Sequence, residues 1–275
     1  MNNAPRTHSY FERPPVIETV FDIQFHPLQG WEIPFFGLFW ATIRDRYPKF
    51  KVVPPLGTQI EDASKPLPPL GVLVNLSAGH LPTRCWFFNE PETQLIQVQS
   101  DRFILNWKRG LIDAAYPHYE NIRPLLEREW QHFCEFVGTN TLGKIEIRQC
   151  EITYINHIDV GIGWKDYGEL DAVLTVWSGN KPGEILPTPD KASVAIRYRL
   201  PHSMGRLHVL AEPAVRNEDN QETLQLTMIA RGAPASSEPK NVFDWFDHAQ
   251  RFVREAFVDL TTERMHAIWE MKDQS

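Results

Sequence analysis

The chain is poor in cysteine. Of its 275 residues only Cys85, Cys134 and Cys150 carry a thiol, and no two stand in a CxxC pair. An odd, scattered set gives no disulfide framework, no zinc ribbon and no redox dithiol. Glycine-rich and catalytic signatures are missing too. There is no GxGxxG, no Walker loop, no GxSxG elbow and no HExxH, so nucleotide-fold, α/β-hydrolase and zincin readings lose their main support. Basic residues are in deficit: 28 Lys and Arg face 35 Asp and Glu, for a net charge of −7. That balance argues against a nucleic-acid binder that relies on neutralising phosphates, although a local basic patch would survive it. No apolar run reaches the roughly 18 residues that a membrane-spanning helix needs. The opening residues, MNNAPRTHSYFERPP, lack the apolar stretch of a secretory signal. A cytoplasmic protein with no membrane contact is the expectation.

Apolar surface is plentiful. Hydrophobic residues make up 42% and aromatics 12%, with nine Trp. That is enough to offset the ordering entropy of a folded chain and excludes disorder as its main state.

Periodicity orders the first half. Phe21, Ile23 and Phe25 alternate with Asp22 and Gln24, which predicts a half-buried strand from Pro15 to His26. Pro34 suits a first helical turn, and Phe35, Phe36, Leu38, Phe39, Trp40, Ile43 and Tyr47 cover a wide apolar arc that Pro48 closes. Residues 48–71 hold six prolines and predict a long, extended connection. Arg84 to Phe88 reads as a strand. Gln94 to Gln99, a Ser100-Asp101 turn and Arg102 to Lys108 predict a β-hairpin. Tyr119 to Val137 has helical spacing and meets Gly138 at its end. Lys144 to Val160 is a further strand.

The second half repeats the grammar. Strands are predicted over Leu170–Trp177, Ala192–Leu200, Arg206–Ala211 and Glu222–Ala230. Loops fall at 179–191 and 232–240. A helix runs from Val242 to Thr261, followed by a short segment capped by Thr261 or Thr262 with Glu263 in its first turn. The fold class is therefore α+β. Two lobes are expected, 1–160 and 161–275, each an antiparallel sheet with a long helix, as an ancient duplication would leave.

Candidate chemistry is sparse. Glu129-x-x-His132 and Glu263-x-x-His266 place a carboxylate and an imidazole on one helix face, as di-iron proteins do. Only three long helices are evident, so solvated helix faces are the better reading and no metal site is assigned. Asp244, Asp247 and His248 read as dipole-complementing residues at a helix start. Cys134 reads as packed rather than reactive. In the central strand, alternation puts Tyr154, Asn156 and Ile158 on one face and Ile155, His157 and Asp159 on the other. Asn156 and His157 are candidates for ligand contact. Arg197, Arg199 and Arg206, with His202 and His208, form a basic cluster that would hold a phosphate or a partner carboxylate. No catalytic residue and no cofactor is nominated.

Three segments together carry a resemblance. They are Tyr10-Phe11-x-x-Pro14-Pro15-Val16-x-Glu18-x-Val20, the strand Tyr154-Ile155-Asn156-His157-Ile158, and the closing His248, Phe257, Thr261-Thr262 and Trp269. This pattern resembles a sporadically distributed family of bacterial proteins of about 250 residues with no settled biochemistry. The resemblance implies a bacterial accessory protein of the kind encoded on defence or mobile islands, and it brings no catalytic residues. The expected function is that of a non-enzymatic binding or regulatory protein, an accessory subunit of a defence or toxin-control system. Its partner would be another protein, from a neighbouring gene, or a second copy in a homodimer. The alternatives are a small-molecule or nucleotide sensor with a cleft lined by Asn156 and the Arg197/Arg199 face, and a metal-dependent hydrolase or nuclease.

Overall fold

Pro14 and Pro15 cannot donate to a ladder, and directly behind them the chain enters the centre of a sheet. A computed structural model describes residues 9–57, 59–61, 83–110, 114–178, 185–216 and 219–273. In chain order the elements are β1 (Ser9–Phe11), β2 (Val16–Phe25), α1 (Ile33–Ile43), β3 (Lys49–Val53), β4 (Arg84–Phe88), β5 (Gln94–Gln99), β6 (Arg102–Lys108) and α2 (Tyr119–Thr139). There follow β7 (Ile147–Asp159), β8 (Val194–Arg199), β9 (Arg206–Val215), β10 (Glu222–Gly232), α3 (Pro239–Leu260), α4 (Glu263–Ile268) and β11 (Met271–Asp273). The fold is α+β. Nine strands form one antiparallel sheet in the order β3-β4-β5-β6-β2-β7-β10-β9-β8, and β1 pairs with β11 in a small second sheet.

The sequence halves meet inside that sheet. β7 hydrogen-bonds to β2 on one side and to β10 on the other. The turn after β7, where the two lobes were expected to part, therefore interrupts no sheet, and the halves are two sides of one structure. Each half has the same plan. An opening strand is followed by a meander that returns to pair with it, β3-β4-β5-β6 onto β2 and β8-β9-β10 onto β7, and each meander runs into a long helix.

Alternation decides which face the helices cover. Phe21, Ile23 and Phe25 of β2, Phe103 of β6 and Ile152 of β7 are almost fully buried. Phe103 packs against Trp130 and Phe133 of α2, with ring centroids 5.7 and 5.3 Å away. In the other half Leu224, Leu226 and Met228 lie under α3, which buries Phe243, Phe246, Ala249 and Val253. Each such aromatic contributes about 3–5 kcal/mol against truncation to alanine.

The opposite face is polar. One row crosses the sheet in register as Trp86, Gln97, Ile104, Asp22, Glu151, Arg231, Arg206 and Arg199. The segment after β3 straps over this row and replaces a ladder with glutamine contacts. Gln99 Oε1 accepts from Leu56 N at 2.9 Å, Gln149 Oε1 from Glu61 N at 2.6 Å, and Gly57 O from Arg102 Nη2 at 3.2 Å.

Three local expectations change. Leu170–Trp177 is not a strand. Tyr167–Ala172 forms a 3₁₀ turn, started by Asp166 Oδ1 accepting from Gly168 N at 2.8 Å, and a single bridge joins Leu174 to Thr261. Its apolar residues, Leu170, Val173 and Leu174, are buried in the core, and period two misleads there. The proline-rich connection opens with a strand, β3, which Pro54 and Pro55 end. Its later part, with Pro66, Pro68 and Pro69, lies outside the described residues, as does 179–184 of the second loop. Gly138 does not stop α2. The helix runs on to Thr139, and Thr141 takes the left-handed backbone at φ 55°.

Candidate functional site

On the helix-covered face the two halves leave a cavity of about 360 Å³. Its floor is strand: Val16 of β2, Tyr154 and Asn156 of β7, and Met228 of β10. Val16 faces Asn156 and Met228 faces Tyr154 in the ladders, so register alone brings these four together. One wall is α3, which presents Gln250, Val253, Arg254 and Phe257. Their spacing is that of one helical face. The other wall is the first turn of α2, with Tyr119, Glu120 and Asn121. Tyr10, Phe11, Tyr116 and His118 form the rim. Phe11 is held edge-on against Phe257 and Trp269, at centroid distances of 5.5 and 5.9 Å.

Six of the sixteen lining residues are Phe or Tyr, and the polar atoms are specific. Tyr116 donates to the Tyr154 hydroxyl at 3.4 Å. Burial pushes the Tyr154 phenol up to about 12, against hydrogen bonds to Tyr116 and Gln250. Burial and the Asp247 carboxylate, which accepts from the Tyr119 hydroxyl at 2.5 Å, hold the Tyr119 phenol far above its usual range. All three tyrosines are thus neutral at physiological pH. Arg123 fixes Asp247 from behind at 3.5 Å. His118, at the start of α2, has φ 60°. A non-glycine residue in that region carries strain, and such strain concentrates at ligand sites.

Asn156 is the decisive floor residue. It is 1% exposed, and its Nδ2 donates to Leu226 O at 3.0 Å. A backbone carbonyl only accepts, so the amide orientation is fixed. Its Oδ1 is then buried with no hydrogen-bond partner. Leaving a buried acceptor unpaired costs about 1–3 kcal/mol.

The other nominated residues lie elsewhere. His157 points to the opposite face of the sheet, 3.4 Å from Gln225 Oε1. Arg197 and Arg199 face His208 and Arg206 across β8·β9 on that same face. The sheet itself therefore separates them from Asn156, and one cleft lined by Asn156 and the two arginines does not exist. Arg206 is 5% exposed and ion-pairs with Glu61, which also accepts from His208 at 2.8 Å. Burial pushes the Glu61 carboxyl up, but these two partners outweigh it and hold it below the usual range. Arg206 is thus a clamp on the strap.

Of the two Glu-x-x-His pairs, Glu263 is exposed as a solvated face requires, and Glu129 is not. Glu129 is buried, not solvated, and bonds to Arg46 and Arg128 at 2.9 and 2.6 Å. His132 meets Thr42 Oγ1 at 2.8 Å and His266 meets Thr261 Oγ1 at 2.9 Å. Among the described residues no group of three His, Cys, Asp or Glu is placed to hold a metal ion. Asp244 and Asp247 lie beyond the first turn of α3, where Lys240 and Tyr119 hold them. Cys134 is packed, and burial pushes its thiol up to about 12. Among the described residues no helix is long and apolar enough to cross a membrane.

Sequence reasoning missed Tyr116, Tyr119, Gln250 and Arg254. One signal was there: Gln250 and Arg254 interrupt the inward stripe of α3 with polar groups. No protein-family model matches the chain, and no curated protein matches it at a significant level.

Proposed function

We propose that this chain is a binding and regulatory protein whose cavity between α2, α3 and β7 takes a small organic ligand. The observation that carries this reading is an enclosed cavity of about 360 Å³ lined by Asn156, a residue whose buried Oδ1 has no hydrogen-bond partner. That volume lies near the lower bound of small-molecule sites, and an apolar enclosure with few fixed polar groups is their usual chemistry. The ligand is a neutral, flat molecule with an N–H or O–H donor directed at Asn156. Signalling through a protein partner belongs to the same reading. Phe50 and Val52, 58% and 59% exposed on β3, an edge strand of the sheet among the described residues, are apolar surface of the kind that protein contacts use.

Indole is a suitable probe. It should raise the melting temperature in a saturable way. Val253→Trp, which fills the cavity from the α3 wall, should abolish that rise while the protein stays folded by circular dichroism. An unchanged rise in the folded variant would place the indole elsewhere and overturn the assignment.

A further inference from the structure

On the face of the sheet opposite the cavity, three cations surround one indole ring. The Arg84 guanidinium carbon lies 5.4 Å from the centre of Trp86, and the Nζ atoms of Lys51 and Lys108 lie 5.8 Å from it. The ladders explain the convergence. Lys51 stands opposite Trp86 across β3·β4, Arg84 is two residues before Trp86 on the same face, and Lys108 reaches in from β6. Lys108 has a carboxylate, Glu18, at 3.6 Å. Among the described residues no carboxylate pairs with Arg84 or Lys51. Arg84 is 9% exposed, and its Nε is buried with no hydrogen-bond partner, as is Nε1 of Trp86.

This arrangement is costly without an anion. A buried cation needs a counter-charge, and two buried N–H donors need acceptors. Burial and the neighbouring Arg102 pull Arg84 down to about 10, against the opposing charge of Asp22. Among the described residues, the cations of this group without a paired carboxylate are Lys51 and Arg84. A phosphate group brings a charge of about −2 and several acceptor oxygens, and the arginine fork fits it with two parallel bonds. We propose that Arg84, Lys51 and Lys108, gathered around the Trp86 ring, form an oxyanion site for the phosphate group of a small molecule. The site lies across the sheet from the cavity and is independent of the reading given for it.

Isothermal titration with inorganic pyrophosphate and with ADP tests it. Saturable binding should appear for the intact protein, and Lys51→Ala should weaken it roughly ten-fold, the worth of one charge-assisted hydrogen bond. Arg84→Gln should remove it. Arg199→Ala, exposed on β8, should leave it unchanged. Equal affinity for the two probes assigns the site to the phosphate alone, and tighter ADP binding assigns it to a nucleotide. Lys51 is exposed, so its variant folds and decides the matter even if Arg84→Gln does not fold. No saturable heat in the intact protein, or undiminished binding in Lys51→Ala, overturns the proposal.

Discussion

Asp22 sits in the middle of a nine-stranded sheet and is 4% exposed. Gln24 Nε2 and Arg102 Nη1 donate to its Oδ2 at 2.8 and 3.1 Å, while Oδ1 has no partner. Burial raises its carboxyl to about 6, against the pull of Arg102. Between about pH 4 and pH 6 the native state therefore holds a proton that the unfolded chain has lost. Stability from this group is complete below that window and is lost as the pH rises through it. Asp22→Asn cannot ionise. Its stability relative to the unmodified protein should rise across the window by roughly 2–3 kcal/mol and then stay level. Urea titrations at several pH values check this, and a difference that does not vary with pH would refute it. In the sequence, Asp22 read simply as a polar position of an amphipathic strand. Alternation gave its face correctly but not its burial, because the strap that covers it comes from a proline-rich segment without periodicity.

At the scale of elements, the corner where the entry to β9 passes the end of β10 sets where α3 lands. A Cβ on Gly232 would strike the Met204 carbonyl, and one on Gly205 the Arg231 carbonyl. Gly205 also has φ +126°, which favours glycine. Trp245 Nε1 donates to Met204 O at 3.1 Å and ties α3 to this corner. Gly232→Ala should cost at least about 2 kcal/mol, because backbone rather than a flexible side chain must move. Denaturant unfolding measures it, and a loss below 0.5 kcal/mol, the ordinary size of a neutral surface change, would show the corner to be pliant. Elements with a clean period were legible. The hairpin of β5 and β6 and the stripe of α3 were read within a few residues of their ends. The 3₁₀ turn at Tyr167–Ala172 was not, since an apolar run under tertiary burial looks like a strand. β3 was hidden by the prolines that follow it.

At the scale of the whole molecule, the cavity exists only because the halves share one sheet. Val16, Tyr119 and the rim come from the segment up to α2, and Tyr154, Asn156, Met228 and the α3 wall from the segment that β7 opens. Asn156 was a candidate in the sequence, yet its companions were not. Their convergence depends on the register of β2 on β7 and β7 on β10, which no local pattern encodes. Arg197 and Arg199 turn to the other face from Asn156, and one strand's alternation cannot say which face another strand turns inward.

The most direct measurement compares indole with benzofuran, which has the same shape but carries an oxygen where indole has its N–H. Titrations followed by ligand-observed NMR should show indole binding at least about ten-fold more tightly, because only indole satisfies the buried Oδ1 of Asn156. Asn156→Leu, which carries no acceptor, should erase that preference. Equal affinities in the unmodified protein, or a preference that persists in Asn156→Leu, would contradict the account of this cavity.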